Sequence, residues 1–327
     1  MNDDQRLTSL VFSGGLGLGA YHAGAFEAFD ALSLPLNWIA GSSAGAITSS
    51  VIAGSPPDKR LSNLRDYWQA DTSKQARAGD PGGHMLAWMS SISTRLMGRT
   101  RFFHPRIPIA SSRFNGLYDL APTREHLRHL IDFGRLNSGD IRLTIAATDL
   151  ETGDVVLFDS ETGKIEMDHI LASCGFIPEF APVLIDQRWL GDGGFSLNAP
   201  FDPVLEAEKP IRLCVIDLFA RDSAAPNGLE AAAERKNDLL FGNQTYYRLR
   251  HALSARQLRG QLQGIVRDDL IYLISYRPGS EEAGPEKSFD LSRAAMNQRW
   301  RAGFLDMQHP ASTDKGPDGI HIVRRPN

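Results

Sequence analysis

A serine bracketed by glycines, Gly41-Ser42-Ser43-Ala44-Gly45, follows a short apolar run and precedes a stretch of small and β-branched residues. This order predicts a strand, a sharp turn and a helix, with Ser43 at the apex of the turn. The backbone of such a serine is strained, so its neighbours must be small, and Gly41 and Gly45 meet that need. The N-terminus of the following helix would favour negative charge beside the hydroxyl. We therefore interpret Ser43 as a candidate nucleophile. Because short Gly/Ser clusters also occur in ordinary loops, this interpretation depends on the rest of the chain.

A second glycine-rich turn follows the β-type run at residues 7–12 and precedes a helix predicted for residues 20–32. It reads Ser13-Gly14-Gly15-Leu16-Gly17-Leu18-Gly19. Backbone N–H groups in such a turn converge on an anion beside a helix N-terminus. A dinucleotide site would need G-x-G-x-x-G spacing and an acidic residue about 20 positions later, where this chain instead has the serine turn. The two turns are better interpreted as walls of one acyl site, one for the nucleophile and one for the oxyanion.

A carboxylate flanked by glycines ends the hairpin that we predict for residues 182–190. Asp192 lies in Gly191-Asp192-Gly193-Gly194, where backbone can approach it closely and no bulky neighbour shields it. An Asp-Gly-Gly segment can also be a simple turn. Asp192 is distant from Ser43 in sequence, so only the fold would bring the two together, as is usual for catalytic groups.

Strands alternate with helices along the chain, which indicates a mixed, mainly parallel sheet covered on both faces. We predict strands at residues 141–150, 154–158, 211–219 and 268–276, and helices at residues 168–173, 228–264 and 289–308. In the long C-terminal helical region we expect these apolar residues to face inward: Leu239, Leu240, Tyr246, Leu249, Leu253 and Leu258. Asp290 is a candidate N-cap, and we expect the polar tail from Pro310 to be loosely held.

We expect two parts in the chain. Residues 5–220 would form a core that contains the acyl site, and residues 56–135 within it would be a lid or an insert. Residues 221–327 form a helical extension that packs on the same domain.

Charge and hydropathy limit the classes of function. The 327 residues are 42% hydrophobic with a net charge of −4, which suits a globular fold and gives no reason to expect a nucleic-acid partner. The first residues do not resemble a signal peptide, and no apolar run reaches the roughly 18 residues of a membrane span. Cys174 and Cys214 lie in apolar stretches, which indicates buried free thiols in a reducing compartment. We expect a cytoplasmic protein that can contact membranes peripherally; the oligomeric state is not predicted.

Residues 56–135 show a weaker pattern. We predict a helix at residues 61–69 and a polar segment at 71–83, and then Met85, Met89, Ile92 and Leu96 recur at helical spacing. This stripe is typical of a helix that packs on the core, but it also suits a lid or interfacial surface over a lipid site. The arginines and phenylalanines nearby fit either interpretation: Arg95, Arg99, Arg101, Arg106, Phe102, Phe103 and Phe114.

Together these motifs resemble the patatin-like phospholipases, serine acyl hydrolases that use a Ser-Asp dyad. The resemblance covers about residues 5–220 and rests on the two glycine-rich turns, on Asp192-Gly193-Gly194, and on segments 147–153 and 172–178. It implies a three-layer α/β/α fold with a mainly parallel central sheet, Ser43 as nucleophile and Asp192 as general base. It also implies a lipid or other acyl ester substrate, no cofactor, no metal, and an oxyanion hole of backbone N–H groups at Gly14, Gly15, Leu16 and Gly17.

Two positions depart from the pattern of that family, which usually has Gly-Gly-Gly-x-Arg/Lys-Gly in the first turn. Leu16 replaces the third glycine and Leu18 replaces the cation. A positive φ at Leu16 would be strained. The departures leave a second interpretation open, a catalytically weak member of the fold that binds lipid or a protein partner.

A Ser-His-Asp esterase is the remaining alternative, because His251, His309 and His321 follow Asp192 in the chain order that this triad requires. It fits less well, since that fold normally places several strands before the nucleophile. His126 and His129 lie three residues apart, but no acidic and histidine cluster completes a metal site.

Overall fold

The computed structural model describes residues 6–68, 83–106, 116–278, 284–308, 316 and 318–323. Its strands are β1 Leu7–Phe12, β2 Trp38–Ser42, β3 His104–Pro105, β4 Tyr118–Asp119, β5 Arg142–Asp149, β6 Val155–Asp159, β7 Val183–Ile185, β8 Arg188–Asp192, β9 Ile211–Asp217, β10 Leu270–Ser275 and β11 Ile320–Val323. Its α-helices are α1 Ala20–Asp30, α2 Ala44–Ala53, α3 Arg60–Trp68, α4 Gly83–Met97, α5 Ala121–Leu130, α6 Phe133–Leu136, α7 Met167–Ala172, α8 Asp202–Glu206, α9 Leu229–Leu262 and α10 Arg293–Met307. The 3₁₀ helices are Leu16–Gly19, Pro57–Lys59, Gly193–Phe195 and Gly284–Phe289.

Within the described residues, one nine-stranded sheet forms the centre of the molecule, in the order β11-β10-β9-β1-β2-β5-β8-β7, with β6 also paired to β5. From β11 to β5 every neighbouring pair is parallel, and β6, β7 and β8 pair antiparallel. All seven residues of β9 are buried, because helices cover both faces of the sheet. The predicted α/β class with a mainly parallel sheet is confirmed.

Alternate residues of the central strands enter two hydrophobic clusters, one on each face of the sheet. Leu10 and Phe12 join the larger cluster, which α1, α2, α3 and α10 cover. Val11 points to the opposite face and packs with residues of α8 and α9. The protein therefore has three layers, helix, sheet and helix.

Strand register brings the candidate site residues to one edge of the sheet. Phe12, which precedes the first glycine turn, pairs with Gly41 at the end of β2. Ser42 pairs with Ala146 of β5, and the next residue of β5, Ala147, pairs with Asp192 at the end of β8. Both turns and the candidate carboxylate therefore lie at the same end of adjacent strands, where ligands bind in open α/β sheets.

The helix α4 does not turn all of its apolar stripe toward the core. Ser91 and Thr94 are buried, whereas Met89 is 55% and Leu96 71% exposed. The core-packing interpretation is therefore wrong for Met89 and Leu96. Periodicity predicted the helix, but small polar residues form its inward face. Phe102 and Phe103 are buried, and Phe114 lies outside the described residues.

The C-terminal part contributes strands as well as helices. The predicted strand is β10, and residues 228–264 form the single helix α9. Leu249 and Leu253 face inward as predicted, but Leu239, Leu240 and Leu258 are exposed, because paired polar residues share the buried face: Asp238 with Lys287, and Arg256 with Asp269.

Two smaller expectations for this part are wrong. The tail is not loose throughout, because Ile320–Val323 forms β11 and pairs in parallel with β10. The N-cap of α10 is Ser292, whose hydroxyl accepts a hydrogen bond from Ala295 N–H, whereas Asp290 accepts one from Ser292 N–H. Residues 309–315 lie outside the described residues.

Candidate active site

The turn between β2 and α2 holds Ser43 in a strained conformation, with φ 54° and ψ −120°. Two glycines make this turn possible. A Cβ on Gly41 would lie 2.3 Å from the carbonyl carbon of Gly45, and a Cβ on Gly45 would lie 2.1 Å from the carbonyl oxygen of Phe12. Backbone at these distances cannot accommodate a side chain. Both motif glycines are therefore required by close packing around the serine.

The backbone on both sides of Ser43 is fixed by the segment that follows α7. Ser43 N–H donates a hydrogen bond of 2.8 Å to Ser173 Oγ, which donates in turn to the carbonyl oxygen of Ala146 at 2.6 Å. The thiol of Cys174 lies 3.6 Å from the carbonyl oxygen of Ser43. Cys174 and Cys214 are buried free thiols, as predicted. The sequence indicated segment 172–178 only as a part of the family pattern, and the role of Ser173 was missed.

Asp192 is buried at the end of β8, beside the serine turn. Burial raises the pKa of Asp192 to about 7, and hydrogen bonds from the Ser43 hydroxyl and from Gly194 N–H act in the opposite direction. The Gly194 bond measures 2.7 Å. A Cβ on Gly193 would lie 2.4 Å from the carbonyl oxygen of Ala146, so this glycine allows the strand end to approach β5. The fold thus brings Ser43 and Asp192 into contact.

The first glycine turn, residues 13–19, lies beside Ser43 and includes the 3₁₀ helix Leu16–Gly19. Gly14 N–H is already engaged, since it donates to the backbone and side-chain oxygens of Asn198, both at 3.1 Å. Among the described residues, the N–H groups of Gly15 and Leu16 have no backbone acceptor. Leu16 has a φ of 50°, the left-handed conformation that a glycine would adopt without strain. Of the four expected oxyanion donors, only Gly14 is therefore committed, and Gly17 N–H, like those of Gly15 and Leu16, has no backbone acceptor among the described residues.

Asn198 and Gln244 connect the two halves of the site. Asn198 binds Gly14 as described, and its own N–H donates to Gln244 Oε1 at 2.7 Å. Gln244, on α9, also donates to the carbonyl oxygen of Gly194 at 3.4 Å. Thr148 supports the other side, since its hydroxyl donates to the carbonyl oxygen of Asp192 at 2.8 Å. None of these three residues was a candidate from the sequence, and Gln244 carries no local signal that could have identified it.

A cavity of about 290 Å³ opens beside Ser43 and Asp192. Nine aromatic side chains contribute to its walls: Tyr67, Trp68, Phe102, Phe103, Phe176, Phe180, Phe219, Phe241 and Phe289. Polar groups include Arg95 of α4, Glu179 and Asn237. The C-terminal part builds one wall, through α9 and the 3₁₀ helix Gly284–Phe289. Such a cavity can hold an apolar chain with its polar end at the serine.

In the described part of the chain, no histidine lines this cavity. His22 is buried against Phe12, and burial lowers the pKa of His22 to about 3, so it is neutral. His251 is exposed on α9, His321 packs on Tyr272 in the sheet, and His309 lies outside the described residues. The ranges that the structure describes also contain no cluster of three or more side chains suited to a metal ion.

A strained serine turn, a buried carboxyl in contact with it and an adjoining apolar cavity are together the arrangement of an acyl hydrolase of the α/β class. The sequence profile of the patatin-like phospholipases matches residues 10–205, more than half of the chain. The chain therefore belongs to the patatin-like phospholipase family, and this membership indicates a lipid acyl hydrolase in general terms.

Several solved structures are similar to the chain at low sequence identity. VipD from Legionella pneumophila is 12% identical, with a TM-score of 0.37 over 92% of this chain and 67% of that chain. ExoU in the ExoU-SpcU complex from Pseudomonas aeruginosa is 19% identical, with a TM-score of 0.31 over 77% of this chain and 52% of that chain. The chain spans about half the length of this ExoU chain. No curated protein sequence matches significantly.

Within the residues described, every helix is too short or too polar to cross a membrane.

Proposed function

We propose that the chain is a phospholipase A-type lipid acyl hydrolase, in which Ser43 is the nucleophile and Asp192 the general base. The observation that carries this proposal is the placement of the Ser43 hydroxyl beside the buried carboxyl of Asp192, at the end of an apolar cavity that both residues line. A carboxylate with an ordinary pKa near 4 is a weak base toward a hydroxyl. Burial raises the pKa of Asp192 to about 7, which makes proton transfer from serine more favourable at neutral pH.

The reaction would proceed in two steps through an acyl-enzyme. Asp192 accepts the proton of Ser43 as Oγ attacks the ester carbonyl, and the carbonyl oxygen becomes an oxyanion. Collapse of this intermediate breaks the ester bond, and the departing alcohol oxygen takes the proton from Asp192. A water molecule then attacks the acyl group, Asp192 accepts its proton, and Ser43 Oγ leaves with that proton as the fatty acid is released.

The oxyanion would be held by the N–H groups of Gly15 and Leu16. Both residues line the cavity with Ser43, and the N-terminus of α2 adds its partial positive charge. Gly14 has a supporting role in this proposal, since its N–H is committed to Asn198. Such donors are effective because they are fixed before the charge develops.

The substrate would place a single acyl chain in the cavity. Its volume of about 290 Å³ lies near the lower end of typical ligand sites, and nine aromatic side chains contribute to its walls. We propose an ester of a lipid as the substrate, with the head group outside the cavity.

The helix α4 would contact the lipid surface. Its outward face carries Trp88, Met89, Leu96 and Met97, which are 44%, 55%, 71% and 77% exposed. Arg95, on the same helix, lines the cavity and lies 4.0 Å from the ring of Phe289. The helix α4 therefore contributes to the cavity wall and also presents an apolar face to the outside, and it has no acidic residue to oppose an anionic membrane. Peripheral contact of this kind requires no membrane span.

Hydrolysis of short p-nitrophenyl esters, without added metal, tests the proposed nucleophile. We expect Ser43→Ala to abolish turnover and labelling by a fluorophosphonate probe. Ser49→Ala is the matched control, because Ser49 is a buried serine on α2 whose hydroxyl has no partner in the described part of the chain. Equal turnover by Ser43→Ala would refute the assignment.

The same measurements separate the two alternatives. An unlabelled wild-type protein that still binds lipid would favour the binding module, which the positive φ of Leu16 makes physically reasonable. A loss of about 10³-fold on replacing His251, His309 or His321 would favour the Ser-His-Asp esterase.

A further inference from the structure

The first glycine turn lacks the cation that its motif usually carries, and the structure shows that this position cannot supply one. Leu18 stands there, and its side chain is fully buried in the larger hydrophobic cluster. A charged group in that environment would lose its hydration without gaining a partner. Any positive charge at this turn must therefore come from another element.

Arg299 of α10 approaches the turn from outside the residues that match the family profile. Its side chain is completely buried. Nη1 donates to the carbonyl oxygen of Gly17 at 3.0 Å and to that of Asp290 at 2.8 Å, and Nη2 donates to the carbonyl oxygen of Lys287 at 2.8 Å. One guanidinium group thus joins the turn to the segment that carries Ser288 and Phe289 of the cavity wall.

The geometry of Gly17 matters because it directly follows Leu16. Leu16 holds the unfavourable φ of 50°, and its N–H is one of the two proposed oxyanion donors. The carbonyl of Gly17 belongs to the peptide between Gly17 and Leu18, one peptide beyond the one that follows Leu16. Fixing this carbonyl anchors the C-terminal side of the strained residue, so the turn has less freedom to move when the φ of Leu16 relaxes. Hydrogen bonds from a charged donor are about twice as strong as neutral ones, which suits a restraint on a strained segment.

We infer that Arg299 is a positioning residue for the oxyanion turn and takes the place of the cation that the turn itself lacks. This inference rests on the proposed function. It assigns to the C-terminal part a role in the reaction: the guanidinium holds the backbone donors in place and adds positive charge on their side of the cavity. Arg299 does not itself line the cavity and would act only through the turn.

The experiment compares Arg299→Gln and Arg299→Lys with wild type in hydrolysis of a short p-nitrophenyl ester. We expect Arg299→Gln to lower kcat about 10- to 100-fold and to change KM less than about twofold. This loss is smaller than the one caused by removing an oxyanion donor outright, because the donors are displaced and not deleted. Lysine keeps the charge, but its single ammonium nitrogen cannot reproduce the planar fork by which Nη1 and Nη2 reach separate carbonyls, so Arg299→Lys should lose about 3- to 10-fold in kcat. Fluorophosphonate labelling rates should fall in parallel.

Two controls separate positioning from stability. Tyr21→Phe removes a 2.7 Å hydrogen bond from Tyr21 of α1 to Asp306 of α10. Asp306 follows Arg299 by about two helical turns, so this bond ties α10 to α1 without involving the carbonyl of Gly17. The substitution should lower the melting temperature with little change in kcat. Arg301→Gln changes an exposed arginine of α10 and should alter neither kcat nor the melting temperature.

Wild-type kcat in a folded Arg299→Gln or Arg299→Lys protein would overturn the inference. The inference would also be overturned if kcat fell in proportion to the melting temperature in the same way for Tyr21→Phe and for the Arg299 variants, because the loss of activity would then reflect stability alone. If Arg299→Gln does not fold, Arg299→Lys alone decides by the same criteria. Failure of the proposed function looks different, because the wild-type protein would then neither hydrolyse the ester nor accept the probe.

Discussion

Ser43 N–H donates a 2.8 Å hydrogen bond to the hydroxyl of Ser173, which lies 130 positions further along the chain. The Ser173 hydroxyl in turn donates a hydrogen bond to the carbonyl oxygen of Ala146. A single hydroxyl therefore couples the strained turn to β5, the strand that also aligns Asp192.

We predict that Ser173→Ala lowers both stability and activity. The substitution leaves Ser43 N–H and the carbonyl of Ala146 without their partner, which should cost about 1–3 kcal/mol in unfolding free energy. The freed turn should also reduce kcat by about 10-fold or more, because small displacements of a nucleophile are costly. Denaturant unfolding and ester hydrolysis measure the two effects. Ser49→Ala should change neither, and an unaltered kcat in Ser173→Ala would contradict the prediction.

The pH dependence of activity should report the ionisation of Asp192, whose pKa burial raises to about 7. Only the carboxylate can accept the serine proton. We therefore expect kcat/KM to rise about tenfold per pH unit at low pH and to level off above pH 7 or so. The profile is measured from pH 5 to 9 with a neutral ester. A plateau that extends down to pH 5 would show that Asp192 is ionised there.

The same shift predicts how stability varies with pH. The folded pKa of Asp192 lies above the ordinary value of 3.8 for an aspartate, so the folded state binds more protons and stability falls as pH rises from about 4 to 7. Burial raises the pKa of Asp217 to about 7 as well, so its effect has the same sign. Asp192→Asn and Asp217→Asn should each gain stability relative to wild type over this window, by up to about 4 kcal/mol. Asp217→Asn should keep the wild-type midpoint of kcat/KM.

Close packing at Gly193 predicts that Gly193→Ala is severely disruptive. The new Cβ would lie 2.4 Å from the carbonyl oxygen of Ala146, and β8 would have to move away from β5. We expect a loss of about 1–3 kcal/mol or more in unfolding free energy, together with most of the activity. Gly163→Ala is the control, because nothing lies within 4 Å of its Cβ position and the substitution should be neutral. Thermal unfolding of the two variants decides the point.

At Leu16, in contrast to Gly193, a change to glycine should not reduce activity. Leu16→Gly removes the unfavourable φ of 50°, so kcat should equal or exceed that of wild type even though packing is lost. Leu16→Ala loses similar packing and keeps the strain, so its kcat should fall below that of Leu16→Gly. Equal kcat values in the two variants would show that this dihedral does not limit the reaction.

The exposed face of α4 predicts a separation between activity on soluble esters and on vesicles. Met89→Asp should fold normally, because Met89 is 55% exposed, and should keep the p-nitrophenyl ester rate. Fatty acid release from phosphatidylglycerol vesicles should fall about tenfold or more, because a charge opposes insertion of this face. Leu262→Asp, at an 80% exposed position on α9, is the matched control. Equal vesicle activity in both variants would exclude α4 as the lipid contact.

Sequence alone could single out Ser43 and Asp192 as candidates, because the backbone beside them approaches its neighbours so closely that glycine is needed there, and these glycines leave a visible pattern. The parallel sheet was predictable for a similar reason, since strands buried on both faces are continuous apolar runs.

The remaining parts of the site could not be predicted from local pattern. Asn198, Gln244 and Arg299 act through contacts that only the complete fold creates, and each is an ordinary polar residue on its own element. The direction of α4 also escaped prediction, since an apolar stripe defines a face but not what covers it. The edge strand β11 was missed because its surroundings are polar.

The bond between Arg299 and Gly17 joins positions 282 apart, and the Tyr21 and Asp306 bond joins positions 285 apart. During synthesis, Ser43, Asp192 and the glycine turn all leave the ribosome well before α10 does. A nascent chain therefore carries its reactive groups for many seconds without this support, at synthesis rates of about 5–20 residues per second. The order of translation therefore delays full assembly of the site until α10 has been synthesised and has docked on the turn.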